Sequence, residues 1–273
     1  MQRTVAVENT NVENANIVYE ERGAGVPMLL LHGSPDTGAM WLPLMDQLAS
    51  RVRCIAPDLP GFGASTLPND FSLSLDHMAD FVRGLLDALK ITEPVMLALT
   101  DFGAHYGLAF AVKYPDRVRG LVISNTNFFR DYQWHSFARM YRTPLLGDFL
   151  IAASTKRTIT NAMKKYAPAL PDSYIEQSYS TGFGSPKVRK TILRMYRERN
   201  SRDFIGWDDR LVTLLKTKPA LVLWGDRDPF ITPDFAERFG AREVHHFAGY
   251  SHWLPLEAPE AYAAKLIPWL ATI

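Results

Sequence analysis

Six short runs of apolar residues recur along the chain: PMLLLHG (27–33), VRCIAPD (52–58), PVMLAL (94–99), RGLVISN (119–125), ALVLWGD (220–226) and EVHHFAG (243–249). Runs this short and this continuous fit strands buried on both faces, as in a parallel sheet. Between them lie stretches with apolar residues at helical spacing, such as MWLPLMDQLAS (40–50), LDHMADFVRGLLDALK (75–90) and PEAYAAKLIPWL (259–270). Strands alternating with helices predict an α/β fold, a mostly parallel central sheet with helices on both faces. Residues 4–20 instead alternate around Asn-rich turns and predict an N-terminal hairpin.

The rhythm lapses between 128 and 210, where helix-like stretches such as FLIAASTKRTITNAMKKY (149–166) and SPKVRKTILRMYRERN (185–200) replace strands. We read a helical cap domain over 128–210, set above the C-terminal edge of a core formed by 1–127 and 211–273. Ligands bind at that edge in open α/β sheets. The 128–210 segment holds 15 Lys+Arg against 8 Asp+Glu, and the remainder 15 against 21. With an overall charge of +1, this reads as a solvated helical face and calls for no nucleic acid.

The single cysteine, Cys54, excludes an intramolecular disulfide and reads as a buried filler. The N-terminal MQRTVAVENT has no apolar leader-like run, and no stretch approaches the ~18 apolar residues of a membrane span. The expectation is a cytoplasmic monomer or homodimer with no membrane partner. His and Cys are scattered without ligand spacing, so neither a metal nor an organic cofactor is expected.

Three polar groups each follow a strand of their own. In MLALTDFGA (96–104) an apolar run ends at Asp101, and the helix-like AHYGLAFAVKYP follows at once. Alone, Asp101 would serve as a helix N-cap. WGDRDP (224–229) supplies Asp226 and Asp228, and GYSHW (249–253) supplies His252. A fourth motif, HGSP (32–35), ends the first buried run.

Together these motifs resemble the α/β-hydrolase superfamily over roughly residues 15–270, and within it the aspartate-nucleophile branch of haloalkane dehalogenases, fluoroacetate dehalogenases and epoxide hydrolases. The resemblance implies Asp101 as nucleophile, Asp228 as acid and His252 as base, with the backbone amides of Ser34 and Phe102 forming the oxyanion hole. Asp226 is the lesser candidate for the acid, and His32, His245 and His246 read as structural. Chemistry explains the aspartate. A serine attacking a saturated carbon would leave an ether that histidine and water cannot readily cleave, whereas a carboxylate leaves an ester that they can.

Halide and epoxide chemistry share that machinery and differ in what stabilises the leaving group. Leu99, and Asn125 where some relatives keep the acid, resemble haloalkane dehalogenases. Two positions depart from that family: Phe102 stands where those enzymes carry a halide-binding Trp, and Ser34 where they carry Asn or Glu. Trp134 and Trp207 are candidate replacement donors. Tyr196 followed by Arg197 resembles the ring-opening tyrosine of epoxide hydrolases, with Tyr132, Tyr141 or Tyr179 as a second donor. Phe102 and His105 offer no clamp for a substrate carboxylate, which excludes small haloacids. The expected substrate is small, uncharged and mostly apolar, in a pocket lined by Phe102, Phe128 and Trp134. A non-hydrolytic binding protein on the same scaffold is the alternative from another class.

Overall fold

The computed structural model describes residues 2–9, 12–68 and 70–273. The expected hairpin is β1 (Gln2–Asn9) and β2 (Val12–Arg22), paired antiparallel with Val5 opposite Ile17; its turn at 10–11 lies outside the described residues. The six apolar runs form β3 (Val26–Leu31), β4 (Val52–Pro57), β5 (Val95–Thr100), β6 (Val118–Ser124), β7 (Ala220–Gly225) and β8 (Glu243–Phe247). They join β1 and β2 in one eight-stranded sheet, ordered β1-β2-β4-β3-β5-β6-β7-β8. From β4 to β8 every pairing is parallel, and β2 meets β4 antiparallel.

Alternate residues of the central strands feed two cores. Leu29, Leu31, Leu97 and Leu99 point to one face, and Met28, Leu30, Met96 and Ala98 to the other. The first face carries α2 (Leu75–Ala88), α3 (Asp101–Lys113) and α9 (Trp207–Leu215). The second carries α1 (Leu42–Leu48), α11 (Leu254–Glu257) and α12 (Pro259–Leu270), and a short α10 (Asp234–Arg238) lies beside β7. Residues 102–111 of α3 are all buried, which explains why that stretch shows no polar stripe.

Between β6 and α9 the chain is helical, as expected: α4 (Ser136–Arg142), α5 (Leu146–Ala152), α6 (Lys156–Tyr166), α7 (Asp172–Thr181) and α8 (Pro186–Glu198). The run 149–166 is two helices rather than one. Thr155 breaks it by turning its side chain onto the Thr158 N–H and capping α6. The boundary expected at 210/211 falls inside α9, whose Leu211 and Leu215 belong to the sheet's own core.

The strand order reverses between β3 and β5: β4 lies on one side of this pair and β6 on the other. Their C-terminal ends therefore carry His32–Ser34 and Asp101 into the crevice where open α/β sheets bind ligands. Close approach there depends on glycine. A Cβ at Gly103 would stand 2.4 Å from the carbonyl oxygens of Leu31 and His32, and one at Gly33 would stand 2.3 Å from the Asp101 Cβ. We expect Gly103→Ala to destabilise the fold by about 1–3 kcal/mol, because backbone rather than a flexible side chain must yield. Urea unfolding measures this, and an unchanged midpoint would contradict the close approach.

Candidate active site

Asp101 is the hinge between β5 and α3. Its φ is +45°, in the left-handed region that a non-glycine residue rarely adopts. Strain of this kind costs on the order of 1–3 kcal/mol and persists only where surroundings enforce it. Here the Asp101 N–H donates to the Asn125 carbonyl at 3.2 Å, and the Thr126 hydroxyl donates to the Asp101 carbonyl at 2.8 Å. The side chain is thus held clear of the helix it begins.

Two backbone N–H groups converge on its carboxylate, those of Ser34 (2.8 Å to Oδ1) and Phe102. The imidazole Nε2 of His252 lies 3.4 Å from Oδ2. On the far side of the ring, Nδ1 meets Asp228 Oδ2 at 2.7 Å. Asp228 is fastened in turn. Its Oδ1 accepts from the N–H groups of Phe230 (2.7 Å) and Ile231 (3.0 Å), and its Oδ2 from the Asn125 amide (3.0 Å). The side chains of Asp228 and His252 are 0% and 5% exposed and that of Asp101 is 19% exposed, so the carboxylate at the elbow is the one open to a ligand.

Burial alone would neutralise this chain of charges. For Asp101 burial raises the pKa, but His252 and the two N–H groups outweigh it and hold the carboxyl below its ordinary value. Burial likewise depresses His252, and the flanking carboxylates of Asp228 and Asp101 more than offset it, so the ring is held well above 6.5. The two carboxylates that flank the ring therefore both favour its protonated form.

A cavity of about 140 Å³ opens above Asp101, Ser34 and His252. Its walls come largely from the helical segment and are apolar, with Phe137, Tyr141, Tyr166, Phe183, Ile192 and Phe230 among them. A much smaller niche of about 10 Å³ adjoins it, lined by Phe102, His105, Asn127, Tyr132, Trp134 and Ile231. Asp101, His135, Tyr196 and Phe230 border both.

Of the residues expected at a leaving group, Tyr196 borders both cavities and its hydroxyl makes no hydrogen bond among the described residues. Burial and the nearby Asp101 hold its pKa well above 10, so it remains an O–H donor. Trp134 reaches only the niche, where its ring stacks on Phe102 at 6.2 Å and its Nε1 is buried without a partner among the described residues. Phe128 does not line either cavity. Its ring is fully buried against Phe204 at 4.9 Å, behind His105, so the expectation that it faces substrate is corrected.

Trp207 stacks beneath the Arg210 guanidinium at 4.3 Å, and Tyr132 donates to the Phe230 carbonyl at 3.2 Å. Asp226 pairs with His246 at 2.6 Å, so it is not the carboxylate that meets His252. His32 donates to the Gly33 carbonyl (2.7 Å) and accepts from the Leu59 N–H (2.8 Å), as a structural histidine does.

Sequence reasoning passed over His135. Its Nδ1 accepts the Ala138 N–H at 3.3 Å, capping α4, and burial lowers its pKa to about 4. The neutral ring therefore carries its proton on Nε2, a donor on a residue that borders both cavities. Its adjacency to Trp134 in the segment after β6 was the available signal.

The profile of the alpha/beta hydrolase fold family matches residues 26–259, and the chain belongs to that family. Haloalkane dehalogenase 2 of Mycobacterium tuberculosis is 28% identical over 92% of this chain and 90% of its own. A cis-3-alkyl-4-alkyloxetan-2-one decarboxylase of Shewanella oneidensis is 28% identical over 89% of this chain and 81% of its own. A solved mutant of haloalkane dehalogenase DatA from Agrobacterium tumefaciens superposes with a TM-score of 0.80 at 26% identity, covering 99% of this chain and 97% of that one. The protein is an α/β hydrolase, and haloalkane dehalogenases are among the members of that family it is similar to.

The His252 ion pair has a pH signature. A histidine raised in the fold contributes stability in full below its unfolded value of 6.5 and loses it as pH rises through the folded value. Asp101→Asn removes one of the two carboxylates that raise it. Above about pH 6.5 the wild type should therefore lose unfolding free energy with pH over a wider range than the variant, at up to ~1.4 kcal/mol per pH unit. Urea unfolding from neutral to alkaline pH tests this, and parallel curves would contradict the pairing.

Proposed function

We propose that this hydrolase acts at a saturated carbon through an alkyl ester on Asp101, with a haloalkane as the leading substrate class. What carries the reading is an ionised carboxylate at the elbow, flanked by two N–H donors and followed by His252 and Asp228. In the first step an Asp101 oxygen attacks the carbon, and the bond to the leaving group breaks with its electron pair. His135 Nε2, the Tyr196 hydroxyl and the Trp134 N–H are the donors that receive this charge. Helices α4–α8 act as the cap that excludes water from it.

Esterification erases the Asp101 charge and with it one of the two carboxylates that keep His252 protonated. The ring's pKa falls, the proton leaves, and His252 becomes a base. It takes a proton from water, whose oxygen adds to the Asp101 carbonyl carbon. The Ser34 and Phe102 N–H groups stabilise the resulting oxyanion. Collapse expels the alcohol and restores the Asp101–His252 pair. A haloalkane thus yields alcohol, halide and one proton.

Epoxide opening is the second reading, favoured by the Tyr196 hydroxyl, which has no hydrogen-bond partner among the described residues. The opened oxygen then consumes the proton that His252 sheds, and none reaches solvent. The apolar walls suit an uncharged substrate in either case, since the charge in the cavity belongs to Asp101 and His252.

A panel of 1-bromoalkanes, terminal epoxides and a cis-dialkyl oxetanone, the last because of the decarboxylase relative, separates these outcomes. We expect bromide and acid release from the first group. Diol without acid release would instead support the epoxide reading. In either event, His252→Gln should accumulate an alkyl adduct on the peptide containing Asp101, visible by mass. Turnover by that variant at the wild-type rate, with no adduct, would contradict the covalent mechanism. Tyr196→Phe should lower epoxide turnover by about 10²-fold or more, and bromide release by less, since a halide needs no proton.

A further inference from the structure

Asp36 is a buried carboxylate, 3% exposed, that the hydrolytic steps leave unused. It lies two residues after Ser34, and its N–H donates to the Gly33 carbonyl at 3.0 Å, closing the turn that presents the Ser34 N–H to Asp101. Its two oxygens are divided between two parts of the molecule. Oδ2 accepts from the indole Nε1 of Trp253 at 3.0 Å. Trp253 follows His252, walls the cavity, and has its ring centre 5.2 Å from that of His252. Oδ1 accepts from the hydroxyls of Tyr174 and Ser178 (the latter at 3.3 Å), neighbours on one face of α7. The end of α7 rests on the same loop, since a Cβ at Gly182 would stand 2.8 Å from the Pro35 carbonyl oxygen.

No Lys or Arg pairs with Asp36 among the described residues. A buried carboxylate without a counter-ion is tolerable only while its oxygens are hydrogen-bonded. Burial raises the pKa of the Asp36 carboxyl and the Tyr174 and Trp253 donors oppose that rise, so loss of the donors on one side leaves the group poorly solvated and loosens its hold on the other. The cap and the loop carrying the base therefore share one tether.

We propose that Asp36 is a positioning residue that couples seating of α7 over the cavity to the aim of His252 at Asp101. With α7 docked, the carboxylate is fixed, Trp253 is fixed against it, and the imidazole next to Trp253 is held in line. With α7 lifted, the base loses its alignment before substrate is enclosed. The kinetic consequence rests on the covalent reading above, whereas the structural coupling does not.

The test uses Tyr174→Phe, Asp36→Asn and the double variant in the full chain, with a substrate identified by the panel. Amide hydrogen exchange is followed over α7 and over residues 251–257. Tyr174 borders neither cavity, yet Tyr174→Phe should lower kcat by about tenfold, the effect of one hydrogen bond to a charged group. It should also raise exchange in both segments. In the Asp36→Asn background the same change should add less than about twofold, as expected when two groups act through one. Faster exchange in α7 alone with kcat unchanged, or losses that multiply, would overturn the proposal. If Asp36→Asn unfolds, Ser178→Ala combined with Tyr174→Phe supplies the same test through exchange. The exchange result does not depend on turnover, so its failure is distinct from the absence of an adduct in His252→Gln.

Discussion

The site is organised around His252, whose ring lies between the carboxylates of Asp228 and Asp101. Asp228 is secured by four donors and cannot leave its place. Asp101 is secured at its backbone and accepts from the Ser34 and Phe102 N–H groups, yet its side chain, on a turn of positive φ, stays partly exposed to the cavity. The difference between the two acids follows from their surroundings: one is saturated with hydrogen bonds and buried, the other faces an apolar cavity. In the reaction we propose, alkylation of Asp101 switches the histidine from counter-ion to base, which orders the two chemical steps by electrostatics.

That arrangement needs backbone atoms closer together than most side chains permit. Gly33 and Gly103 let β3 and the start of α3 touch, which brings the Ser34 N–H to the carboxylate. The reversal of strand order between β3 and β5 supplies the crevice, and the helices inserted after β6 roof it with aromatic rings. An apolar roof over an ion pair strengthens each electrostatic contact inside and favours substrates that bring no charge of their own.

The sheet was legible in the sequence because its strands are buried on both faces and read as unbroken apolar runs. Asp101, Asp228 and His252 were legible because each follows such a run directly. The helical segment was legible only in outline. Its helices bury a narrow stripe and leave the rest to solvent, so nothing in 149–166 except the capping Thr155 marks the break between α5 and α6. Phe128 looked like a pocket aromatic, and only packing against Phe204 reveals that it faces inward. His135, signalled only by its adjacency to Trp134, and Asp36 were missed for a related reason. One acts through which ring nitrogen its cap occupies, the other through partners 138 to 217 positions away in sequence.

At the residue after Asp101 this chain departs from the haloalkane dehalogenases it resembles. With Phe102 after Asp101, the elbow contributes no side-chain donor, and N–H and O–H groups of Trp134, His135 and Tyr196 border the niche beside it. In the reaction we propose, leaving-group chemistry thereby rests on the helical segment, which ties it to how that segment seats. The covalent role of Asp101 is most directly examined by a single turnover, enzyme in excess, in water enriched in oxygen-18. If Asp101 forms the ester, the heavy oxygen enters the peptide containing Asp101 while the first alcohol product stays unlabelled. Label found in the alcohol and absent from that peptide would mean that water attacks the substrate itself, and the account would be wrong.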